Sequence, residues 1–341
     1  MEEQALDAAR ADRNRGGKNG ITLSFPARIV HIGHMNTRLF ISGGSGFIGR
    51  NLTEYFSPRA KVFAPSRGAL DLLDEDAVRG YLSLKRIQVV LHAAGVGGRR
   101  DTAGMRGVQD QNVRMFLNLA RNLPGGARMI QFGSGAEYDI RFYAPKMDED
   151  YFGVHVPEDE YGRSKYECSK IILARSFPVL GMRLFGVFGK YEPYHLRFIS
   201  NAILKNILEL PITIRQNTVY DYVYIADLMR IIEHFAFHGI PGTIYNVSSG
   251  DPIDLLSIAR SINKIGGHEC EIRVLHDGMG KEYSGANRRL MQELPDFRFT
   301  PIHEAIRELY RWYQANLKLI DMRILEEGDA LLDHTRTGKA G

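Results

Sequence analysis

The glycine-rich stretch ISGGSGFIGRNL constrains the fold most, because it joins a strand directly to a helix. Arg38–Ser42 is an apolar, strand-like run, and Phe47–Phe56 has the apolar spacing of an amphipathic helix. Glycine at such a turn permits positive φ, and the helix that follows presents free N–H groups and its positive dipole end to an anion. Gly43, Gly46 and Gly49 therefore predict a turn that binds the pyrophosphate of a dinucleotide.

Apolar runs alternate with helix-like segments through the first half of the chain. Further strand-like runs lie at 61–64, 88–92 and 128–132, and helix-like segments lie at 75–83 and 108–122. Runs that are buried on both faces and spaced by helices indicate a parallel sheet with helices on either side. The sequence thus predicts an α/β fold of the Rossmann type, a doubly wound parallel sheet, with a smaller C-terminal substrate-binding lobe.

The length of 341 residues suits two domains, or one large domain with an added lobe. The start is polar and rich in Gly and Arg, and the end is also polar. We predict a flexible N-terminal extension at 1–36, a dinucleotide-binding domain at 37–188 with returns near 219–247, a mainly substrate-binding lobe at 189–318, and a loosely held polar tail at 319–341.

Composition argues against several functional classes. There are 44 Lys and Arg against 40 Asp and Glu, a net charge of +4, and no dense basic run, so we expect no nucleic-acid partner. No apolar stretch approaches the roughly 18 residues of a membrane helix, and the leader lacks an apolar signal core. Cys168 and Cys270 are far apart without metal-ligand spacing, so we expect a cytoplasmic protein without a metal site.

The end of the second strand bears on the choice of cofactor. An NAD site usually has an acidic residue there to hold the ribose 2′-hydroxyl, but none lies between Lys61 and Gly68. Arg67 is present instead, and a guanidinium suits a 2′-phosphate. This favours NADP, with NAD as the alternative because Arg67 could be an ordinary surface residue. Asp71 could contact the adenine amino group or cap a helix, and the sequence leaves both open.

The pattern Tyr-x-x-x-Lys, in which a cation can assist proton transfer by a phenol, occurs at 81 and 85, 161 and 165, and 166 and 170. Tyr81 lies on the wrong element to meet a ligand at the strand carboxyl ends. Ser134 ends a strand, and PEDEYGRSK reads as a helix start that places Tyr161 and Lys165 on one face. The last pair is rotated by roughly 140°. We therefore select Tyr161 and expect Tyr166 at a surface or subunit contact.

Seven motifs now stand in a recognisable order: GGSGFIG, HAAG, FGSGAEY, YGRSK, RLFGVFG, DYVYIADL and YNVSSG. In order and spacing they resemble the extended short-chain dehydrogenase/reductase family over residues 37–316. Within that family the chain is most similar to the nucleotide-sugar branch that includes GDP-fucose synthase, notably in SRGALDLLD and FGSGAEY. The resemblance implies a nucleotide-sugar substrate and a homodimer.

The resemblance also implies roles for individual residues. Ser134, Tyr161 and Lys165 would form the catalytic triad, and Asn112 would order the active-site helix, unless it simply faces solvent. In this scheme Lys165 holds the nicotinamide ribose, Tyr161 exchanges a proton with a carbonyl oxygen, and Ser134 orients that oxygen. Further cofactor contacts would come from Gly43, Ser45, Gly46, Phe47, Ile48, Gly49, Arg67, Asp71, Leu72, His92, Ala93 and Ala94.

Departures from the family pattern reduce the number of possible reactions. The 4,6-dehydratases carry Asp-Glu directly after the serine position, where this chain has Gly135 and Ala136. GDP-fucose synthases carry a cysteine at the position of Ala136, and His195 is near the matching histidine but out of step. Hydride chemistry at one carbon remains, either 4-keto reduction or C4 epimerisation, and Arg67 favours reduction. A non-catalytic NADP-binding regulatory protein of the same fold is a further alternative.

The second lobe would supply the substrate contacts. Arg197, Arg215 and Lys205 could neutralise a diphosphate, although a lone arginine is as often an ordinary surface residue. The predicted substrate-binding residues are Gly135, Glu137, His195, Arg197 and Arg215.

Overall fold

The computed structural model describes residues 34–102, 104–239, 244–321 and 323–325. Most of the predicted N-terminal extension, 1–33, lies outside the described residues. Residues 34–36, which we assigned to that extension, lie against the folded unit, since the His34 ring stacks on Phe237 with 4.1 Å between ring centroids.

Strands and helices alternate as expected. The strands are β1 Arg38–Ser42, β2 Lys61–Phe63, β3 Val89–His92, β4 Arg128–Ser134, β5 Val179–Leu184, β6 Gly186–Phe188, β7 Ile212–Asn217, β8 Val219–Tyr220, β9 Tyr222–Tyr224, β10 Ile244–Val247, β11 Ile253–Asp254 and β12 Ile272–Met279. The helices are α1 Phe47–Phe56, α2 Glu75–Leu84, α3 Val108–Arg121, α4 Glu160–Leu173, α5 Phe198–Ile207, α6 Ile225–His238, α7 Leu255–Gly266, α8 Arg288–Glu293 and α9 Ile302–Ala315.

Six parallel strands form the central sheet, in the order β10-β5-β4-β3-β1-β2. Its strands are almost wholly buried except at the β2 edge, which explains their continuous apolar runs. The predicted doubly wound α/β fold is confirmed. From β1 the chain passes to β2 on one side and then to β3 on the other, and in open sheets such a switch point marks the ligand crevice.

Two of the hydrophobic cores in the described residues bear on the predicted division into a dinucleotide-binding domain and a lobe. The first lies on the sheet and includes residues of α6 and β10, in keeping with the predicted return of the chain near 219–247. Leu290 and Leu294, which we assigned to the substrate lobe, also pack into this first core. The second core joins α5, β7, α7 and α9 in the smaller lobe.

The described part of the C-terminal tail is held in place. Leu325 is 1% exposed and packs into the second core, and the Asp321 backbone N–H donates to the Tyr194 hydroxyl at 2.9 Å. Asp321 and Leu325, which lie in the segment predicted to be a loosely held tail, thus make long-range contacts with the second lobe. In the described portion, none of the helices combines the length and apolar character needed to span a bilayer.

Candidate active site

The turn between β1 and α1 requires glycine. Gly43 has φ +68°, and a Cβ on Gly49 would lie 2.0 Å from the Gly43 carbonyl oxygen. Gly46 is the N-cap of α1, where no side chain caps the helix and no acidic residue lies in the first turn. Backbone N–H groups at this end therefore remain open to an anion, and the turn fits the pyrophosphate of a dinucleotide. Ser45 is exposed at the same turn.

The end of β2 lies beside this turn, since a Cβ on Gly44 would be 2.9 Å from the Ala64 Cβ. Arg67 follows in an exposed turn. The Asp71 carboxylate is exposed and accepts from the Leu73 N–H at 3.0 Å.

Two predictions need correction here. Asp74, not Asp71, caps α2, by accepting from the Ala77 N–H at 2.9 Å. Leu72 is 8% exposed and packs in the core, so its side chain is taken up by packing rather than free for a cofactor.

At the end of β3, His92 is buried and hydrogen-bonds the Ser42 hydroxyl at 2.7 Å through Nδ1. Burial, with a smaller effect of the Lys165 charge, lowers the pKa of His92 to about 3, so the imidazole stays neutral. His92 therefore braces β3 against β1, and its side chain, contrary to the prediction, is not open to a cofactor in the cavity. Ala93 and Ala94, which follow it, do line the cavity described below.

Asn112 of α3 ties the loop after β3 to α4. Its Oδ1 accepts from the Val96 N–H at 2.8 Å, and its Nδ2 donates to the Val96 carbonyl at 3.0 Å and to the Ser164 hydroxyl at 3.1 Å. The side chain is buried, so the solvent-facing alternative is wrong. Asn112 therefore holds two of the elements that carry the candidate site.

The start of α4 is held by two carboxylates. Asp159 caps the helix by accepting from the Gly162 N–H at 2.8 Å. Glu160 points the other way, and its Oε2 accepts from the Val108 N–H at the start of α3 at 2.6 Å. An anion at a helix N-terminus is stabilising, so Glu160 joins α4, the helix that carries Tyr161, to the start of α3.

Ser134, Tyr161 and Lys165 line one cavity. The Lys165 ammonium donates to the Phe132 carbonyl at 2.8 Å and lies 5.7 Å from the centre of the Tyr161 ring. The Ser134 hydroxyl accepts from the Ala136 N–H at 3.1 Å. Gly98, at φ +78°, lets the loop after β3 pass close to the phenol, since a Cβ there would lie 2.5 Å from the Tyr161 ring.

Neither residue of the competing pair, Tyr166 and Lys170, lines this cavity. Lys170 is exposed, as expected for a surface position. Tyr166 is 9% exposed and stacks on Phe152 with 4.7 Å between ring centroids, so its expected place at the surface is wrong. The irregular segment before α4 covers it.

Glu137 and Gly135 have roles other than the predicted substrate binding. Glu137 is fully buried, pairs with Arg183 Nε at 2.7 Å, and accepts from the Ser169 hydroxyl at 2.5 Å and the Ser134 N–H at 3.1 Å. Its carboxylate is therefore committed to holding α4 and β5 against the end of β4. Gly135 is buried and does not line the cavity.

The cavity has a volume of about 850 Å³ and extends from the start of α1 to the second lobe. The predicted site residues that line it are Phe47, Ile48, Ala93, Ala94, Ser134, Tyr161, Lys165, His195, Arg197 and Arg215. Lys205, a further diphosphate candidate, does not line it; this lysine is buried, with Nζ 3.4 Å from the Thr213 hydroxyl.

Sequence reasoning missed several polar residues of the cavity, among them Arg99, Tyr143, Glu192, Lys281 and Tyr283. Arg99 carried a usable signal, since it closes the glycine-rich loop after β3, at the ligand edge of the sheet. Lys281 and Tyr283 carried none, because they reach the cavity from a segment that resembles an ordinary loop. No group of His, Cys, Asp and Glu suited to a metal ion occurs in the described ranges.

Comparisons with known proteins agree with this architecture. Residues 39–248 match the NAD dependent epimerase/dehydratase family. GDP-6-deoxy-D-talose 4-dehydrogenase of Aggregatibacter actinomycetemcomitans is 22% identical over 303 residues, which cover 80% of this chain and 97% of the relative. GDP-6-deoxy-D-mannose reductase of Pseudomonas aeruginosa is 25% identical over 262 residues, 70% and 83% of the two chains.

Among solved structures, the GDP-mannoheptose C4 reductase of Campylobacter jejuni with NADP bound superposes with a TM-score of 0.69 at 16% identity, over 82% of this chain and 99% of that one. The UDP-glucose 4-epimerase of Thermotoga maritima gives 0.71 at 17% identity, over 82% and 100%. These likenesses are of fold. The family match spans more than half of the residues of this chain, so the chain belongs to the NAD dependent epimerase/dehydratase family.

Proposed function

We propose that this protein is an NAD(P)-dependent oxidoreductase that reduces a 4-keto group on a nucleotide-linked sugar, with Tyr161 as general acid. One observation carries the proposal: Ser134, Tyr161 and Lys165 share a cavity with the start of α1 at one end and with Arg197 and Arg215 at the other. The names of the relatives, a GDP-sugar 4-dehydrogenase and a GDP-sugar reductase, support the same substrate class.

The dinucleotide would be held by the glycine turn and the uncapped N-terminus of α1. When bound, it supplies the hydride that is transferred to the substrate carbon. The exposed Arg67 guanidinium follows β2 beside the turn and suits a 2′-phosphate, so we assign NADP rather than NAD.

The proton would come from Tyr161. Lys165, fixed by its hydrogen bond to the Phe132 carbonyl, places a cation beside the phenol and favours charge on its oxygen as the proton leaves. The Ser134 hydroxyl can donate to the same substrate oxygen and hold it in line with Tyr161.

The charges of the cavity support an anionic substrate. Five cations line it, Arg99, Lys165, Arg197, Arg215 and Lys281, against one carboxylate, Glu192. Arginine binds phosphate oxygens bidentately, so a diphosphate linkage is well matched by Arg197 and Arg215. We further propose a homodimer, which the family resemblance implies, and a cytoplasmic location, which the cysteine usage favours; analytical ultracentrifugation would check the dimer.

The test is thermal stabilisation of the purified protein by NADP(H), NAD(H) and a panel of GDP-, UDP- and dTDP-linked sugars. A ligand at 100 times its Kd adds about 2.7 kcal/mol to the free energy of unfolding. We expect stabilisation by NADP(H) above NAD(H), and by at least one sugar nucleotide. Arg67→Ala should remove the NADP preference, whereas Arg79→Ala, a control on the exposed face of α2, should not.

Each other outcome is informative. A preference for NAD(H) would contradict the assignment of NADP. A response to cofactor without any response to a sugar nucleotide would favour a non-catalytic protein or another substrate. Cofactor that stays bound through purification, with interconversion of C4 epimers instead of net reduction, would favour a C4 epimerase.

A further inference from the structure

Tyr283 brings a second phenol to the catalytic serine. Its hydroxyl oxygen lies next to Gly135, the residue that directly follows Ser134, and both Ser134 and Tyr161 affect the pKa of the phenol. Tyr283 lines the cavity and packs against Phe185, with 5.1 Å between ring centroids. This residue comes from the connection between β12 and α8, far along the chain from the elements that carry the triad.

The backbone on either side of Tyr283 is fixed. Its N–H donates to the Val219 carbonyl at 2.9 Å, and its carbonyl accepts from the Asp221 N–H at 3.1 Å. Two residues later, Gly285 forms a bridge with Met147. A paired segment, rather than an unsupported loop, therefore holds the phenol in the lining of the cavity.

Gly135 leaves the space through which the phenol reaches the serine. A Cβ at this position would lie 2.7 Å from the Tyr283 hydroxyl oxygen and 2.7 Å from a ring carbon of Phe185. Any larger residue directly after Ser134 would displace the hydroxyl. This close approach accounts for the glycine that follows the catalytic serine.

The hydrogen bonds around Tyr283 limit where its proton can go. The Tyr143 ring lies 5.2 Å from the Tyr283 ring, and its hydroxyl donates to the Gly135 carbonyl, so Tyr143 can only accept from a neighbouring hydroxyl. The Ser134 oxygen already accepts from the Ala136 N–H. The single Tyr283 proton can therefore be donated either to Tyr143 or to Ser134.

These two arrangements differ in whether the Ser134 proton is available to the substrate oxygen. If Tyr283 donates to Tyr143, the serine proton is drawn towards the Tyr283 oxygen and away from a substrate. If Tyr283 donates to Ser134, the serine proton is released to the substrate oxygen, and the donated hydrogen bond strengthens it as a donor. Burial raises the pKa of Tyr283 to about 12, so the phenol keeps its proton at neutral pH.

We propose that Tyr283 is a positioning residue, which directs the Ser134 hydroxyl towards the reacting substrate oxygen by donating to it across the space left by Gly135. This role rests on the proposed function, in which Ser134 and Tyr161 bind the same oxygen. It adds a third hydroxyl to the reacting end of the cavity.

The experiment is a double-mutant cycle of Tyr283→Phe and Ser134→Ala in the full chain. Phenylalanine keeps the packing with Phe185 and removes only the hydroxyl. We expect Tyr283→Phe to lower kcat about tenfold with little change in KM for NADPH, and the double variant to be no slower than Ser134→Ala alone. Tyr245→Phe, which loses one phenol contact to Glu293 away from the cavity, is the matched control and should be near wild type.

Losses that multiply in the double variant, or a Tyr283→Phe protein as active as Tyr245→Phe, would overturn the proposal. Urea unfolding of the same four proteins in the cycle tests the contact without turnover: the midpoint loss of the double variant should be smaller than the sum of the single losses, and a full sum would exclude the contact. Wild-type inactivity towards every sugar nucleotide would overturn the proposed function and the catalytic role together, while unfolding would still decide the contact.

Discussion

The two ends of the cavity differ in what lines them: backbone at the cofactor end and charged side chains at the end formed by the second lobe. At the cofactor end the backbone defines the shape, because Gly43 and Gly49 approach so closely that a Cβ on Gly49 would lie 2.0 Å from a carbonyl oxygen. At the lobe end the charges of side chains define the surface, which is lined by Arg197, Arg215 and the buried Glu192. The first end should therefore be sensitive to added atoms and the second to altered charge.

The largest effect should come where the two ends meet, at Tyr161. Tyr161→Phe removes the proton donor, and loss of a general acid typically lowers the rate by about 10²–10⁴-fold. Tyr166→Phe is the matched control, since that phenol stacks on Phe152 outside the cavity and should retain nearly full activity. NADPH oxidation with a 4-keto sugar nucleotide measures the rate, and fluorescence titration should show unchanged NADPH binding. Equal losses in both variants would contradict the choice of Tyr161.

The sensitivity of the cofactor end to added atoms can be tested at Gly98. Gly98→Ala places a Cβ 2.5 Å from the Tyr161 ring, and a displaced catalytic group of this kind can cost about 100-fold in kcat. Gly104→Ala is the control, because Gly104 has a similar φ of +81° but no heavy atom within 4 Å of the added carbon. Both variants carry the same backbone strain, so the difference in kcat reports the ring contact. Equal losses would show that strain, not the approach to Tyr161, limits this loop.

The same contrast explains what the sequence could predict. The cofactor end is formed by short contiguous segments. For this reason β1, the glycine turn and α1 could be predicted from the glycine spacing and the apolar pattern alone. The role of Asn112 could also be predicted, because the family resemblance assigns it and because it lies on a helix with a clear apolar periodicity. Local patterns suffice where neighbours in sequence are neighbours in space.

The predictions that were wrong or missing concern residues whose partners are distant in sequence. Glu137 lies three residues after Ser134 and was expected to bind substrate, but its partner Arg183 comes from β5 and buries it completely. Tyr283 had no local signal, since only the three-dimensional structure brings it beside Gly135 in the cavity that Ser134 lines. A carboxylate or phenol near a catalytic motif is thus ambiguous until its partners are known.

The sensitivity of the lobe end to charge can be tested at Glu192. This side chain is 3% exposed, and burial raises its pKa to about 7, against opposing effects of Ser200 and Arg197. The folded protein therefore holds a proton on Glu192 between the ordinary carboxyl pKa near 4.5 and about 7, where the unfolded chain has released it. Because the unfolded state binds fewer protons in this window, stability should fall as pH rises through it and level off above about 7.

Glu192→Gln removes that slope, because the amide stays neutral and its oxygen can still accept from the Ser200 hydroxyl. At pH 8 the variant should be more stable than wild type by at most about 3 kcal/mol, the free energy of a shift of this size, and near pH 4.5 the two should converge. Urea unfolding from pH 4.5 to 8 measures both, with Glu304→Gln on the exposed face of α9 as a control expected to follow wild type. A Glu192→Gln curve parallel to wild type would mean that the carboxylate is already charged in the folded protein, stabilised by Arg197. The lobe end would then carry only fixed charges, without a group that titrates in this pH range. It would differ from the cofactor end by those charges alone.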